Sequence, residues 1–528
     1  MSFGSEAIKL LTSYDVDTIF GIPGVHTIEY FRGVLESNVT AIIPRHEQGA
    51  GFMADGYARV SNKPGVCVLV SGPGVLNAAT PIAQAWHDSI PLLVVAASTE
   101  SELRGKNRGA LHDIPDQSAF FEQITDLSIT VTDPDHYAEV VEQTFSNWKS
   151  QRCRPVHISI PVDLLDKKIS PIKKVEIKKA QIKLNIQQID EIIKKILESK
   201  RIVLLCGGGA NKASSEIIEL AQILKAPVIT TGNARGLIPD QHPLNAGTTL
   251  PFQSCRELLD SSDLVLAIGT EFSDVDVIYT GKRITQPAYL VRVDIDSAQL
   301  QSAFIAKVAV QADAKEFTST LIAMLKSRDF VSHITDAADR AQKVRMNLDW
   351  TEQSKSHFVW LDVITNEIPR NTIISIDSTQ LAYTSHHYLP WSSPQRWLAP
   401  YGLGTLGPAL PMGIGAKIAS PQDPVVILAG DGGALFTIAE LATARDIGGT
   451  IILIIWDNAG YAEIRDSFDR AKAVRIGVDV SAFDLTAIAK GFGVNAVRVT
   501  TPTEFKVHLK KALGVNEPTV IVITEPVD

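Results

Sequence analysis

An α/β architecture of three doubly wound parallel-sheet domains in succession is what this sequence predicts, on three observations. Its 528 residues exceed what one core organises, and the length alone points to about three domains. Short aliphatic runs end in Gly, Pro, Ser or Thr, as buried parallel strands do. Helix-length amphipathic segments separate these runs, and the alternation occurs three times.

The first alternation spans residues 1–166, with VDTIFGIP, GVCVLVSGPG and PLLVVAAST before a closing RPVHISIPVDLL. Residues 167–183 are lysine-rich, carry Pro171 and have no sustained core pattern, which predicts a solvated linker rather than a nucleic-acid patch. The second alternation, 186–330, holds RIVLLCGGGA, APVITTGN, DLVLAIGT and YLVRVDID. Its Gly207-Gly208-Gly209 turn lacks the G-x-G-x-x-G spacing and reads as a scaffold turn; no motif there calls for FAD, so FAD is not expected. The third, 355–528, holds NTIISIDST, PVVILAGDGG, TIILIIWDN and EPTVIVITEP.

Composition narrows the function classes. Hydrophobic residues at 45% and charged residues at 21% are ordinary for a soluble globular chain. A formal net charge of −9 argues against nucleic acid or an anionic membrane as partner. Cys67, Cys153, Cys206 and Cys255 form no C-x-x-C pair, so neither a zinc site nor a dithiol is expected. Cys67 and Cys206 lie in apolar runs, as small buried hydrophobes in a reducing compartment. The first residues lack a cationic start followed by an apolar core, and no apolar run approaches the ~20 residues that span a bilayer. A cytoplasmic enzyme is expected.

The run GDGGALFTIAELATARDIGGTIILIIWDN, residues 430–458, carries the chemistry. VVILAG brings Asp431 to the carboxyl end of one strand, and TIILIIWD brings Asn458 to the end of another, where open parallel sheets bind ligands. ALFTIAELATARDI reads as a helix whose N-terminus lies just beyond the glycines. Gly430, Gly432 and Gly433 permit close backbone approach, and a helix N-terminus favours phosphate. One carboxylate and one amide cannot cage a cation. They suit Mg²⁺, which keeps waters and completes its octahedron with phosphate oxygens. The alternative is an ordinary strand–turn–helix with a capping aspartate.

This run resembles the thiamine-diphosphate (ThDP) motif of the acetolactate synthase and 2-oxo acid decarboxylase superfamily. That motif ends in two asparagines; here the first is Asp457, and the second, the metal ligand, is Asn458. The resemblance implies Mg²⁺ on Asp431, Asn458 and the carbonyl of Gly460, with Tyr461 beside the cofactor. PRHEQGAGFMADGYARV, residues 44–60, is similar to the family's glutamate segment and implies Glu47 on the aminopyrimidine. YGLGTLGPALPMGIGAK, residues 401–417, resembles the loop that bends the cofactor, with Leu406 under the bend and the Gly404 carbonyl accepting from the 4′-amino group. SGPGVLNAA, residues 71–79, resembles a cofactor-facing turn and implies Gly72 and Asn77 there. The three domains then become pyrimidine-binding, middle Rossmann-like and diphosphate-binding. The family shares its sites across subunits, which implies a homodimer or homotetramer.

The resemblance extends to the substrate. Benzoylformate decarboxylases carry a serine where this chain has Val25 and a histidine at a position that falls near Val70; acetolactate synthases carry a tryptophan where it has Ser467. GIPGVHTIEYFRG, RGALHDIPDQSAF and NAGYAEIRD look like the 5-guanidino-2-oxopentanoate decarboxylases of arginine catabolism. That implies release of CO₂ and 4-guanidinobutanal. Glu463 is the carboxylate placed to face a guanidinium, and a solvated helix-start acid is the alternative. His112 and Gln117 lie in the loop that reaches the substrate. An acetolactate synthase-like carboligase acting on pyruvate is the alternative activity.

Overall fold

In the computed structural model, residues 1–177, 183–277, 283–481 and 483–525 are described. Eighteen strands form three six-stranded sheets. The first contains β1 (Thr18–Phe20), β2 (Thr40–Ile42), β3 (Gly65–Leu69), β4 (Leu92–Ser98), β5 (Leu127–Thr130) and β6 (Val156–Pro161), in the order β2-β1-β3-β4-β6-β5. All five pairings are parallel. The second contains β7 (Ile202–Cys206), β8 (Val228–Thr230), β9 (Asn245–Gly247), β10 (Leu264–Ile268), β11 (Leu290–Asp294) and β12 (Val308–Gln311), in the order β12-β11-β10-β7-β8-β9. The third contains β13 (Ile373–Ile376), β14 (Trp397–Leu398), β15 (Val425–Gly430), β16 (Ile451–Asp457), β17 (Asn495–Val499) and β18 (Thr519–Thr524), in the order β14-β13-β15-β16-β18-β17. The three parallel α/β sheets are the fold class the sequence predicts.

Each sheet has a switch point between central strands, at β1 and β3, at β10 and β7, and at β13 and β15; the first and third sheets also turn back at their β6-β5 and β18-β17 edges. Such a switch point opens a crevice at the carboxyl ends of the two flanking strands. In the second sheet the chain's own backbone fills it. A Cβ on Gly207 would lie 2.2 Å from the Gly269 carbonyl oxygen, so the glycine turn serves close packing.

The chain divides into two compact units. One holds residues 180–365 and 383–397, and with them the second sheet; the other holds 1–179, 366–382 and 398–528. In this second unit the first and third sheets share one apolar core, in which Phe20, Leu69 and Val94 are continuous with Ile427, Leu453 and Val522. Helix Glu47–Ser61 and helix Ala409–Ala419 cross at its centre, almost backbone to backbone. A Cβ on Gly56 would lie 2.1 Å from the Met412 carbonyl oxygen, and one on Gly415 1.9 Å from that of Met53. Only glycine permits this approach, which fixes where the Glu47 helix begins.

Two local readings need correction. The segment after Asp431 is two helices, Asp431–Leu435 and Glu440–Ile447, and the first starts at Asp431 rather than beyond the glycines. Between them the Thr437 hydroxyl donates to the Gly407 carbonyl at 2.6 Å, tying the interruption to another loop. The lysine-rich stretch is not wholly solvated. Ile169, Ile172 and Val175 pack on the first sheet's outer core, and Lys174 lies 4.1 Å from the Tyr14 ring centroid. Residues 178–182 of that stretch lie outside the described residues.

Candidate cofactor site

Asp431 stands at the carboxyl end of β15 and is 3% exposed. Burial holds its carboxyl above the ordinary range, against the backbone N–H groups that favour the charge; nearby Asp457 adds to the rise. Its Oδ2 accepts from Gly460 N at 2.8 Å, so the loop after β16 is pinned to the end of β15. Gly460 takes φ +140°, and a Cβ there would lie 2.4 Å from the Val478 carbonyl oxygen. Tyr461 N donates to that same carbonyl at 3.0 Å, and the Tyr461 ring lies over Gly432, 2.7 Å from where its Cβ would be.

The Asn458 side chain tests whether a cation fits. With nitrogen inward, its amide donates to Asp431 Oδ1 at 3.3 Å and to the Gly460 carbonyl at 3.0 Å. With oxygen inward, three oxygens face one another at those separations, and only a shared cation relieves them. Adjacent oxygens on an octahedral Mg²⁺ at 2.0–2.1 Å stand about 3 Å apart. Asp431, Asn458 and Gly460 therefore fit a magnesium ion that keeps its remaining positions for phosphate and water. Among the described residues no three His, Cys, Asp or Glu side chains gather as a metal cage, so this sparse site is the kind of seat the chain offers.

Asp457, the departure from the double-asparagine motif, is neutralised. Its Oδ2 accepts from Arg498 Nη1 at 2.6 Å, and Arg498 also reaches the Thr524 hydroxyl at 2.8 Å. An Asp–Arg pair carries the same net charge as the missing amide.

Glu47 opens its helix but does not cap it. The N-cap is His46, whose ring accepts from Gln48 N at 3.1 Å. Glu47 Oε2 instead accepts from Asn77 Nδ2 at 2.9 Å, which brings two of the predicted cofactor residues together. Arg45 N and His46 N both donate to Glu440 at 3.1 Å, and Glu440 is 1% exposed. This carboxylate, from the helix that follows Asp431, holds the start of the Glu47 helix. The sequence reading missed it, although Gly49 signals it: a Cβ there would lie 2.2 Å from Glu440 Oε1.

Residues 400–409 form a braced loop. Gly404 has φ +65° and its N donates to the Pro400 carbonyl at 3.0 Å; Leu406 is half-buried. Gly407 N donates to both oxygens of Asp377, at 2.9 and 3.2 Å. Asp377 ends β13, is buried, and lies 3.1 Å from where a Cβ on Gly433 would be. Burial pushes its carboxyl up to about 6 against the N–H groups of Ser378, Gly407 and Ala409. One missed aspartate thus touches both the bending loop and the diphosphate turn, at the switch point of the third sheet.

At the first sheet's switch point, Gly72 has φ +62°, and a Cβ there would lie 2.3 Å from the His112 carbonyl oxygen. Gln117 is 7% exposed and its amide is employed inside the protein, accepting from Gly72 N at 3.2 Å and donating to the Ala97 carbonyl at 3.0 Å. Gln117 thus braces the turn at Gly72 from the start of its own short helix. His112 has φ +62°, and its buried Nδ1 has no hydrogen-bond partner. Its ring meets that of His26 edge-on at 5.0 Å, and His26 Nδ1 is 2.7 Å from the Ser71 hydroxyl. Glu463 lies apart from these, in helix Ala462–Arg470 beside the metal loop. It accepts from Arg470 at 3.1 Å and from Gln380 at 3.4 Å, and Gln380 also donates to Asp466 at 2.8 Å.

Comparison with known proteins agrees with this geometry. Residues 1–120 match the family described as "Thiamine pyrophosphate enzyme, N-terminal TPP binding domain", 189–321 its central domain and 377–523 its C-terminal TPP binding domain. The chain is 36% identical to a "Probable 2-ketoarginine decarboxylase" of Pseudomonas aeruginosa, over 99% of this chain and 93% of that protein. It is 32% identical to a "Probable acetolactate synthase large subunit" of Methanocaldococcus jannaschii, over 99% and 92%. The isozyme 1 large subunit of Escherichia coli acetolactate synthase matches at 28% over 98% and 93%. With both ThDP-binding domains matched and the motif residues converging, the chain belongs to the thiamine pyrophosphate enzymes, in the superfamily of 2-oxo acid decarboxylases and acetolactate synthases.

Proposed function

We propose that this enzyme decarboxylates a 2-oxo acid with a guanidinium tail, 5-guanidino-2-oxopentanoate, with ThDP and Mg²⁺. The observation that carries the cofactor half is the convergence of the Asn458 amide on Asp431 Oδ1 and the Gly460 carbonyl, at 3.3 and 3.0 Å. ThDP supplies the electron sink for the carbon that loses CO₂. Asp431, Asn458 and the Gly460 carbonyl hold the metal, and Gly430, Gly432, Gly433 and Tyr461 line the diphosphate. Glu47, oriented by Asn77, exchanges a proton with the aminopyrimidine, and Gly72 admits the cofactor beside it. Leu406 and the Gly404 carbonyl shape the cofactor from the braced loop. The reading includes active sites shared between subunits of a homodimer or homotetramer. No described helix is long and apolar enough to cross a membrane.

The substrate half rests on the carboxylates of helix Ala462–Arg470. Glu463 already accepts from a guanidinium, that of Arg470, and Asp466 lies one turn on, linked through Gln380. A substrate guanidinium displacing Arg470 finds the same acceptor. Ser467, standing where acetolactate synthases carry a tryptophan, supports a decarboxylase over a carboligase. The 2-ketoarginine relative supports the same choice.

The test is a panel of 2-oxo acids with purified enzyme, Mg²⁺ and ThDP, following CO₂, aldehyde and acetolactate. CO₂ and aldehyde from the guanidino acid are expected. Acetolactate from pyruvate with no turnover of the guanidino acid establishes the carboligase instead. Glu47→Gln is expected to lower kcat by about 10²–10⁴-fold while Mg²⁺–ThDP binding persists; unchanged turnover refutes its role.

A further inference from the structure

His26 lies in GIPGVHTIEYFRG, where it has no assigned role, and the fold places it at the crevice. It follows the end of β1, and Ser71 follows the end of β3. Between these strands the first sheet reverses its order, so both residues stand at its ligand-binding edge. There the His26 Nδ1 and the Ser71 hydroxyl bond at 2.7 Å across 45 residues of sequence. Ser71 is 1% exposed and directly precedes Gly72, the left-handed residue that admits the turn. The other edge of the His26 ring meets His112, whose buried Nδ1 lacks a protein partner.

The reaction needs a proton at this edge. When a 2-oxo acid anion loses CO₂, the bonding pair stays on the former carbonyl carbon. That carbon then takes one proton to become the aldehyde, and water restores the donor. Balance therefore demands one proton per turnover, delivered separately from the exchange assigned to Glu47.

We propose that His26 is a positioning residue for that delivery: bonded to Ser71 and edge-on to His112, it holds the His112 ring in the arrangement that hands a proton to the decarboxylated carbon. This rests on the decarboxylase reading. The titratable and charged groups acting on His26 are His112, from the loop after β4, and Glu100, from the same segment. Burial holds His26 below the ordinary imidazole value; His112 adds to this and Glu100 opposes it. A neutral His26 ring keeps one nitrogen for Ser71.

Two substitutions separate the hydrogen bond from the ring. His26→Asn keeps a polar group where Nδ1 lies, and His26→Phe keeps the ring edge without the bond. With the full chain, Mg²⁺, ThDP and the turned-over 2-oxo acid, His26→Phe is expected to lower kcat by roughly 10–100-fold, the scale of one general-acid contribution. KM and the ThDP dissociation constant stay within about threefold, because the loss lies in the proton step alone. His26→Asn recovers most of the rate, since it restores a polar partner to the Ser71 hydroxyl. The proposal is overturned if kcat of His26→Phe stays within twofold of the parent across pH. It is also overturned if any loss is matched by ThDP affinity, since that is a structural role only. A parent enzyme that binds ThDP yet turns over no 2-oxo acid overturns the decarboxylase reading, and this inference with it.

Discussion

Removing the Arg59 guanidinium is expected to destabilise the unit that holds the cofactor, and the structure sets the scale. Arg59 Nε donates to Asp55 Oδ1 at 2.5 Å and Nη2 to Asp88 Oδ2 at 2.8 Å; the three side chains are 8%, 0% and 1% exposed. Asp88 Oδ1 also accepts from Gly402 N at 2.9 Å, and Gln84 Oε1 accepts from Leu403 N at 3.2 Å, so the cluster ties the Glu47 helix to the bending loop. Breaking a buried pair by removing one partner costs about 3–5 kcal/mol, because the other charge stays buried. At roughly 2–4 °C per kcal/mol for large domains, Arg59→Met should lower Tm by about 6–20 °C. Acidity should rescue it. Burial already holds the Asp55 carboxyl above the ordinary range, with Arg59 pulling it down. Without Arg59 it rises further. A folded pKa above the unfolded one gives stability that is complete below the unfolded value and is lost as pH rises through the folded value. The deficit of Arg59→Met is therefore smaller at pH 5.5 than at pH 8. Thermal unfolding by circular dichroism at one scan rate measures both arms, and ThDP titration reads the loop. A Tm within about 2 °C of the parent, or a deficit that grows on acidification, refutes the reasoning.

Three further outcomes follow from the site. Asp431→Ala should abolish the Mg²⁺ dependence of ThDP uptake and weaken it by about 10²-fold or more, read by calorimetry with and without a chelator, since one of the few protein ligands is gone. Asp377→Asn should weaken ThDP binding through the loosened 404–409 loop. Its unfolding free energy should also lose the parent's decline as pH rises from about 4 to 6, the window set by a carboxyl that burial pushes up to about 6. Arg498→Met should weaken ThDP by about 3–10-fold at low salt, since an unpaired Asp457 then faces Asp431; adding Asp457→Asn should restore it, and a cycle of the two reports their coupling.

How much the sequence revealed depends on where each residue's partner lies. Twelve strands are legible as aliphatic runs, because a central strand of a parallel sheet is buried on both faces. The other six, β2, β5, β9, β12, β14 and β17, are the six edge strands. An edge strand is half solvated, and its residues alternate or mix; β12 reads buried-exposed-buried-exposed and β17 is buried only at Val499. Their absence from the pattern follows from their position, and did not obscure the fold, since the switch point named for each sheet lies between central strands. The site divides the same way. Asp431 and Asn458 end consecutive aliphatic runs, so the strand pattern exposes them, and Gly460 follows from the family resemblance. Glu440, Asp377 and His26 act on groups that lie 395, 30 and 45 residues away. Nothing in their own segments announces this. For Glu440 the signal lay in a partner: Gly49 is a glycine where a Cβ would strike the Glu440 carboxylate. A glycine beside a motif, read for what it makes room for, points to the second residue of a contact that periodicity cannot show. By that logic Gly433 belongs with Asp377, 3.1 Å from where its Cβ would lie. Gly433→Ala should then weaken ThDP binding as Asp377→Asn does, and the double variant should lose less than the sum of the two.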